Sequence, residues 1–213
     1  FQYRGANALF TPEQVDIERL VAVAPTIFHL GYLLLLDGMD APDSEFGTAA
    51  ARLLHDVQAA GIQTSIDVVS EAGDRFGRIV GPALGHTDHC IINEYEAQRI
   101  TGITVRGTDE TLDRSGVEAA AVKLLEMGVA RNAVIHCPEG GQWADADGGR
   151  LWMPSLSVPN ELIVSAVGAG DAFCAGVLYG IHDDWEPERC LTVGNAAAAM
   201  CLCAKNTTDG VGT

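Results

Sequence analysis

Apolar and polar positions along this chain switch repeatedly between a helical period and short continuous runs, and that alternation predicts the fold class. From Thr48 onward, Ala50, Leu53, Leu54 and Val57 recur at i, i+3, i+4 and i+7, the stripe of a helix buried on one side, and Gly61 supplies its stop. Thr64 to Val69 follows as a strand that ends in polar Ser70 and Glu71. A helical stretch through Phe76, Ile79 and Val80 then leads to the strand-like run Cys90-Ile91-Ile92. Ser115 and Glu118 have capping-box spacing ahead of Val117, Ala121, Leu124 and Leu125, with a stop at Gly128 and a further strand at Ala133-Val134-Ile135. Nearer the start, Thr11-Pro12-Glu13-Gln14 predicts a helix N-terminus, continuing through Val15, Ile17 and Leu20 toward Pro25. Ile27 to Leu30 then reads as a buried strand, and Phe1-Gln2-Tyr3 as part of another. Strand and helix alternating at this spacing imply βαβ units and a mainly parallel sheet covered on both faces.

Two later segments depart from that rhythm. Gln142 to Met153, with Asp147-Gly148 at its middle, predicts a hairpin in which Trp143 and Trp152 face each other as packing residues. Ala169 to Ile181 and Glu186 to Cys203 read as helices whose Ala, Gly and Cys content favours close mutual packing.

Composition narrows the function. Lys+Arg 13 against Asp+Glu 29 gives a net charge of −16, which repels polyanions, so neither nucleic acid nor an acidic membrane is an expected partner. With 47% apolar residues the chain can bury a core, yet no uninterrupted apolar run reaches the roughly 18 residues of a membrane span. The six cysteines form neither a C-x-x-C pair nor a disulfide-type spacing, which fits reduced thiols and a cytoplasmic location.

The sharpest chemistry lies in Val167-Gly168-Ala169-Gly170-Asp171-Ala172-Phe173, just ahead of an apolar helix. Gly168 and Gly170 remove Cβ atoms that would keep a ligand from the backbone. The amides of the first helical turn are unpaired and carry the positive end of the helix dipole, which suits an anion. A carboxylate at Asp171 could take the proton of a substrate hydroxyl beside that anion site. The same residues also fit an ordinary Gly-rich turn with Asp in the first turn of a helix.

Four segments, in order over nearly the whole chain, resemble the ribokinase-like (PfkB-type) carbohydrate kinases. They are Gly5-Ala6-Asn7, Asn93-Glu94-Tyr95-Glu96 after Cys90-Ile91-Ile92, Gly168-Ala169-Gly170-Asp171-Ala172-Phe173, and Gly194-Asn195-Ala196-Ala197-Ala198-Ala199. The resemblance implies a three-layer α/β/α sandwich in which residues 1–213 form one kinase domain. It implies transfer of the γ-phosphoryl of ATP to a sugar or sugar-like alcohol, with Asp171 as base and Gly168, Ala169 and Gly170 as anion hole. Asn93 and Glu96 would organise Mg²⁺ and the ATP phosphates, with Glu96 the metal-side residue, although without the family the pair is simply a helix cap. Asn195 would border adenine, and Gly141 would stand for the second glycine of a phosphate loop written here as His136-Cys137-Pro138-Glu139-Gly140-Gly141.

The departures are specific. Ser165-Ala166 replaces the family's Asp-Thr, which leaves K⁺ use open, and Pro138 replaces the first loop glycine. The family's sugar-gripping N-terminal residues and lid have no counterpart and are expected before Phe1, so the substrate and a homodimer contact through that lid both stay open. A catalytically silent binding relative is the rival reading. A dinucleotide-binding oxidoreductase fails because Phe173 stands where a third glycine belongs and no βαβ unit follows. Weaker features are His86, His89 and Cys90, too few and too dispersed for a zinc motif, and Asp67, a strand-end acid placed where such sheets bind ligands.

Overall fold

The computed structural model describes residues 4–210. In chain order its elements are α1 (Ile17–Val23), β1 (Ile27–Leu33), β2 (Pro42–Asp43), β3 (Gly47–Thr48), α2 (Ala49–Ala59), β4 (Gln63–Val68) and α3 (Phe76–Leu84). They continue with β5 (His89–Asn93), α4 (Glu94–Thr101), α5 (Arg114–Glu126), β6 (Asn132–Cys137), β7 (Gly140–Asp145), β8 (Arg150–Pro154), α6 (Ala169–His182) and α7 (Pro187–Leu202).

The main sheet has the order β1-β4-β5-β6-β7-β8. Its first four strands run parallel and the last two antiparallel, so the predicted βαβ rhythm and the predicted hairpin share one sheet. Successive side chains of a strand point to opposite faces, and here they enter different cores. Cys90 and Ile92 of β5, with Ala133 and Ile135 of β6, pack against α2, α3, α4 and α5. Ile91 and Val134, with Trp143, meet Phe173, Cys174 and Val177 of α6 and Cys190 and Leu191 of α7. The result is the expected α/β/α layering. Gly176 and Gly194 allow α6 and α7 to touch: a Cβ added at Gly176 would stand 2.9 Å from the Gly194 Cα.

Local chemistry amends several expected boundaries. The capping box at Thr11 and Gln14 forms, but it closes only a 3-10 turn. Val15 is extended, and the separate helix α1 starts on Asp16, whose carboxylate accepts from the Arg19 amide. Helix α5 starts on Asp113, not Ser115, because the Asp113 carboxylate takes the amides of both Ser115 and Gly116. In the hairpin Gln142 pairs with Trp152 and Trp143 with Leu151, so the two tryptophans lie on opposite faces. Phe1-Gln2-Tyr3 lies outside the described residues.

Candidate functional site

The C-terminal ends of β4, β5 and β6 and the start of α6 surround two adjoining cavities. The smaller, about 360 Å³, is lined by Tyr32, Asp67, Ser70, Glu96, Asp171 and Cys174, among others. The larger, about 830 Å³, is lined by Pro138, Leu156, Phe173, Asn195, Ala198 and Ala199, among others. Asn93, His136 and Gly170 line both, so these residues mark where the two spaces meet.

The segment 168–171 lies at that junction. Gly168 caps α6 with φ 85°, a left-handed conformation that favours glycine, and a Cβ there would also stand 2.6 Å from Thr207 Cγ2. The Ala169 amide donates to the Ala166 carbonyl and the Ala172 amide to Gly168. Among the described residues the amides of Gly170 and Asp171 between them find no such acceptor, which leaves them free for an anion. Ala169 lines the larger cavity and Asp171 the smaller, while Gly168 lines neither and acts through the turn it makes. A Cβ at Gly170 would come within 3.0 Å of the His136 ring, so this glycine also makes room for a half-buried histidine.

Across the smaller cavity, Asn93 caps α4 and forms the full capping box with Glu96. Glu96 Oε2 accepts from the Asn93 amide at 3.0 Å and Oε1 from the Ser70 hydroxyl at 2.8 Å. Both readings of this pair therefore have a geometric basis: a cap is built, and its carboxyl lines the cavity. Burial raises the Glu96 pKa to about 7 and that of Asp67 to about 6. These are a buried and a half-buried carboxyl beside a third, Asp171, and among the described residues no Lys or Arg forms a salt bridge with either. Burial also brings the His136 pKa down to about 4, so a neutral imidazole stands between the cavities.

Other expected residues fall elsewhere. Gly141 is inside β7 and lines neither cavity; its missing Cβ makes room for the Phe173 ring at 2.9 Å. The turn at Pro138 and Glu139 joins β6 to β7; Pro138 lines the larger cavity, and Glu139 is paired to Arg106. Asn195 does line the larger cavity, but its amide nitrogen is tied to the Pro154 carbonyl at 3.2 Å. His89 is buried between Asn132 and Gln63, and Cys90 lies in the core away from it, so no metal site joins them. Sequence reasoning gave no role to Tyr32, Ser70 or Cys174, and named His136 only as the first residue of the phosphate-loop counterpart. The position of Ser70 and His136 at the C-terminal ends of parallel strands was the available signal.

Comparison with known proteins bears on the fold and the family. The chain is 33% identical to the 1-phosphofructokinase of Escherichia coli strain K12 over 87 residues, 41% of this chain and 27% of that enzyme. It superposes on the ribokinase of Thermotoga maritima with a TM-score of 0.72 at 20% identity, covering 99% of this chain and 60% of that one. On Arabidopsis thaliana ribokinase complexed with ribose and ATP the TM-score is 0.68 at 22% identity, covering 92% and 55%. The chain thus spans well under two thirds of the length of these relatives. A family model described as pfkB family carbohydrate kinase matches residues 2–213. With that match over nearly the whole chain, and three of its four motif segments lining the two cavities, the chain belongs to the pfkB family of carbohydrate kinases.

Proposed function

We propose that this chain supplies the phosphoryl-transfer part of an ATP-dependent kinase acting on a hydroxyl of a sugar or sugar-like alcohol. One observation carries the reading: Asp171 lines the smaller cavity directly beside the free Gly170 amide, at the junction with a larger cavity. In this reading the adenine side of ATP lies in the larger cavity against Ala198, Ala199 and Phe173, and Asn195 holds its wall. The phosphates reach the junction, where the Gly170 and Asp171 amides receive the charge that develops on the transferred group. Asp171 takes the hydroxyl proton as the substrate oxygen bonds to the γ-phosphorus and the bond to the ADP oxygen breaks.

Glu96 and Asp67 fit a hard cation, because two carboxyls with raised pKa values gain from a positive charge between them. They are the residues that would hold Mg²⁺, which on binding supplies charge neutralisation for the phosphates. Asn93 positions Glu96, and neutral His136 separates the two spaces without adding charge.

The test is a screen of the complete reading frame for sugar-dependent conversion of ATP to ADP across sugars, sugar phosphates and nucleosides, alongside calorimetric ATP binding. The expected result is ATP binding and transfer to at least one hydroxyl acceptor. ATP binding without transfer to any acceptor would overturn the reading in favour of a silent relative.

A further inference from the structure

At one edge of the smaller cavity, β1, β4 and α6 bring an imidazole, a carboxylate and a thiol together. His29, Asp67 and Cys174 each present a ligand atom, and these atoms lie within 4.8 Å of one another. His29 Nε2 stands 3.8 Å from Asp67 Oδ2. The other ring nitrogen, Nδ1, is 3.1 Å from the Ser65 hydroxyl, which fixes the ring with Nε2 toward the cluster. Asp67 Oδ1 accepts from the Tyr32 amide, leaving Oδ2 on the His29 side. Gly31 lies between the two side chains, and a Cβ there would sit 3.4 Å from both Asp67 Oδ1 and His29 Nε2. Cys174 closes the cluster from below as a free, buried thiol.

We propose that His29, Asp67 and Cys174 form a three-ligand site for a borderline-soft divalent ion of the zinc class, with its fourth position open to the smaller cavity. One nitrogen, one sulfur and one oxygen donor, with an open position, is the pattern zinc-type ions use, whereas Mg²⁺ favours oxygen donors alone. The site therefore discriminates against the cation assigned to Glu96 and Asp67 above. Binding forms a sulfur–metal bond and releases the Cys174 proton to solvent, since a coordinating thiol is deprotonated. Ligation takes the neutral His29 ring through its Nε2 lone pair, and the ion's charge offsets that of the Asp67 carboxylate. The His29 side chain is 30% exposed, which gives the ion a way in. Cys174 follows Asp171 by one helical turn and Asp67 is shared, so an ion held here occupies space and charge next to the proposed base. It would restrain turnover in that reading, but the site itself stands without it.

Cobalt(II) is the probe, because a thiolate ligand gives it a sulfur-to-metal charge-transfer absorption. The chain is titrated with Co²⁺ anaerobically without added thiols, then back-titrated with Zn²⁺. The expected result is one Co²⁺ per chain with a charge-transfer band that Zn²⁺ abolishes. Cys174→Ser is expected to lose the band. His29→Gln, at a partly exposed position, should weaken Co²⁺ binding at least about tenfold, and Ser65→Ala about 10- to 100-fold through ring orientation. Absence of the band, its persistence in Cys174→Ser, or unchanged affinity in His29→Gln would each overturn the proposal. Because the readout is absorption, its failure and the failure of the kinase reading are separate results.

Discussion

The two cavities share three residues yet differ in almost everything else. Around the smaller one, Asp67, Glu96 and Cys174 have pKa values pushed up by burial, and the Asp171 carboxyl lines the same space. The larger one is walled by Leu156, Phe173, Ala198, Ala199 and Leu202, with Asn195 already engaged by backbone. Holding ionisable groups out of water costs stability unless a ligand or cation compensates them, so their concentration on one side marks where charge is meant to change. The larger side holds Cys137, whose thiol pKa is pushed up by burial, but Glu94 is the one carboxyl among its lining residues, and its Leu, Phe and Ala walls suit recognition by surface contact. The shared residues Asn93, His136 and Gly170 thus separate chemistry from binding, and substitutions on the two sides should part in the same way.

The largest expected effect is on the charged side. Asp171→Asn should lower turnover by roughly 10²- to 10⁴-fold, the usual contribution of a general base, while ATP affinity measured by calorimetry stays within a few-fold. A substitution that lost binding and turnover in equal measure would erase the contrast between the cavities. On the larger side, Ala199→Trp should fill space and raise the ATP KM by about tenfold or more, equivalent to about 1.4 kcal/mol of binding, with kcat little changed. Steady-state kinetics varying ATP at saturating acceptor would check it. A fall in kcat with unchanged KM would mean that the larger cavity is not where ATP lies.

Much of this contrast was legible in the chain, and the part that was not has a physical reason. The Asn93–Glu96 cap and the start of α6 depend on residues within one turn, so their spacing announces them. The close meeting of α6 with α7 follows from small residues along both helices. Where two local signals compete, sequence spacing does not rank them: Asp113 outbids Ser115 as a cap because its carboxylate reaches two amides. Strand register was likewise out of reach, and one residue of register put Trp143 and Trp152 on opposite faces. The ligands around Asp67 depend on strand order. His29, Asp67 and His136 are distant in sequence and converge only because β1, β4, β5 and β6 lie in that order. Tyr32 is a further case. Its φ of 64° turns the chain between Leu30 and Leu33, lets both face the core, and aims its hydroxyl at Asp171. A left-handed tyrosine leaves no trace in an apolar run.

The smallest expected effect concerns Glu96, and it bears on whether the charged cavity is under tension. Its folded pKa of about 7 lies above the ordinary glutamate value of 4.5, so the folded state holds this proton where the unfolded chain has released it. Stability must therefore fall as pH rises from about 4.5 through about 7, the reverse of a salt-bridged carboxylate. Glu96→Gln keeps the geometry, because the amide oxygen can still accept from the Asn93 amide while its NH₂ donates to the Ser70 hydroxyl. At pH 8, without divalent cation, the variant should be more stable than the parent by on the order of 1–2 kcal/mol, and at pH 5 the two should coincide. Adding Mg²⁺ at pH 8 should stabilise the parent more than the variant and narrow the difference, since only the parent regains a charge partner. Denaturant melts at the two pH values, with and without Mg²⁺, give all four numbers. A variant less stable than the parent at pH 8 would show that Glu96 is held there as a well-solvated cap, and the cavity beside Asp171 would then carry no stored charge for a cation to relieve.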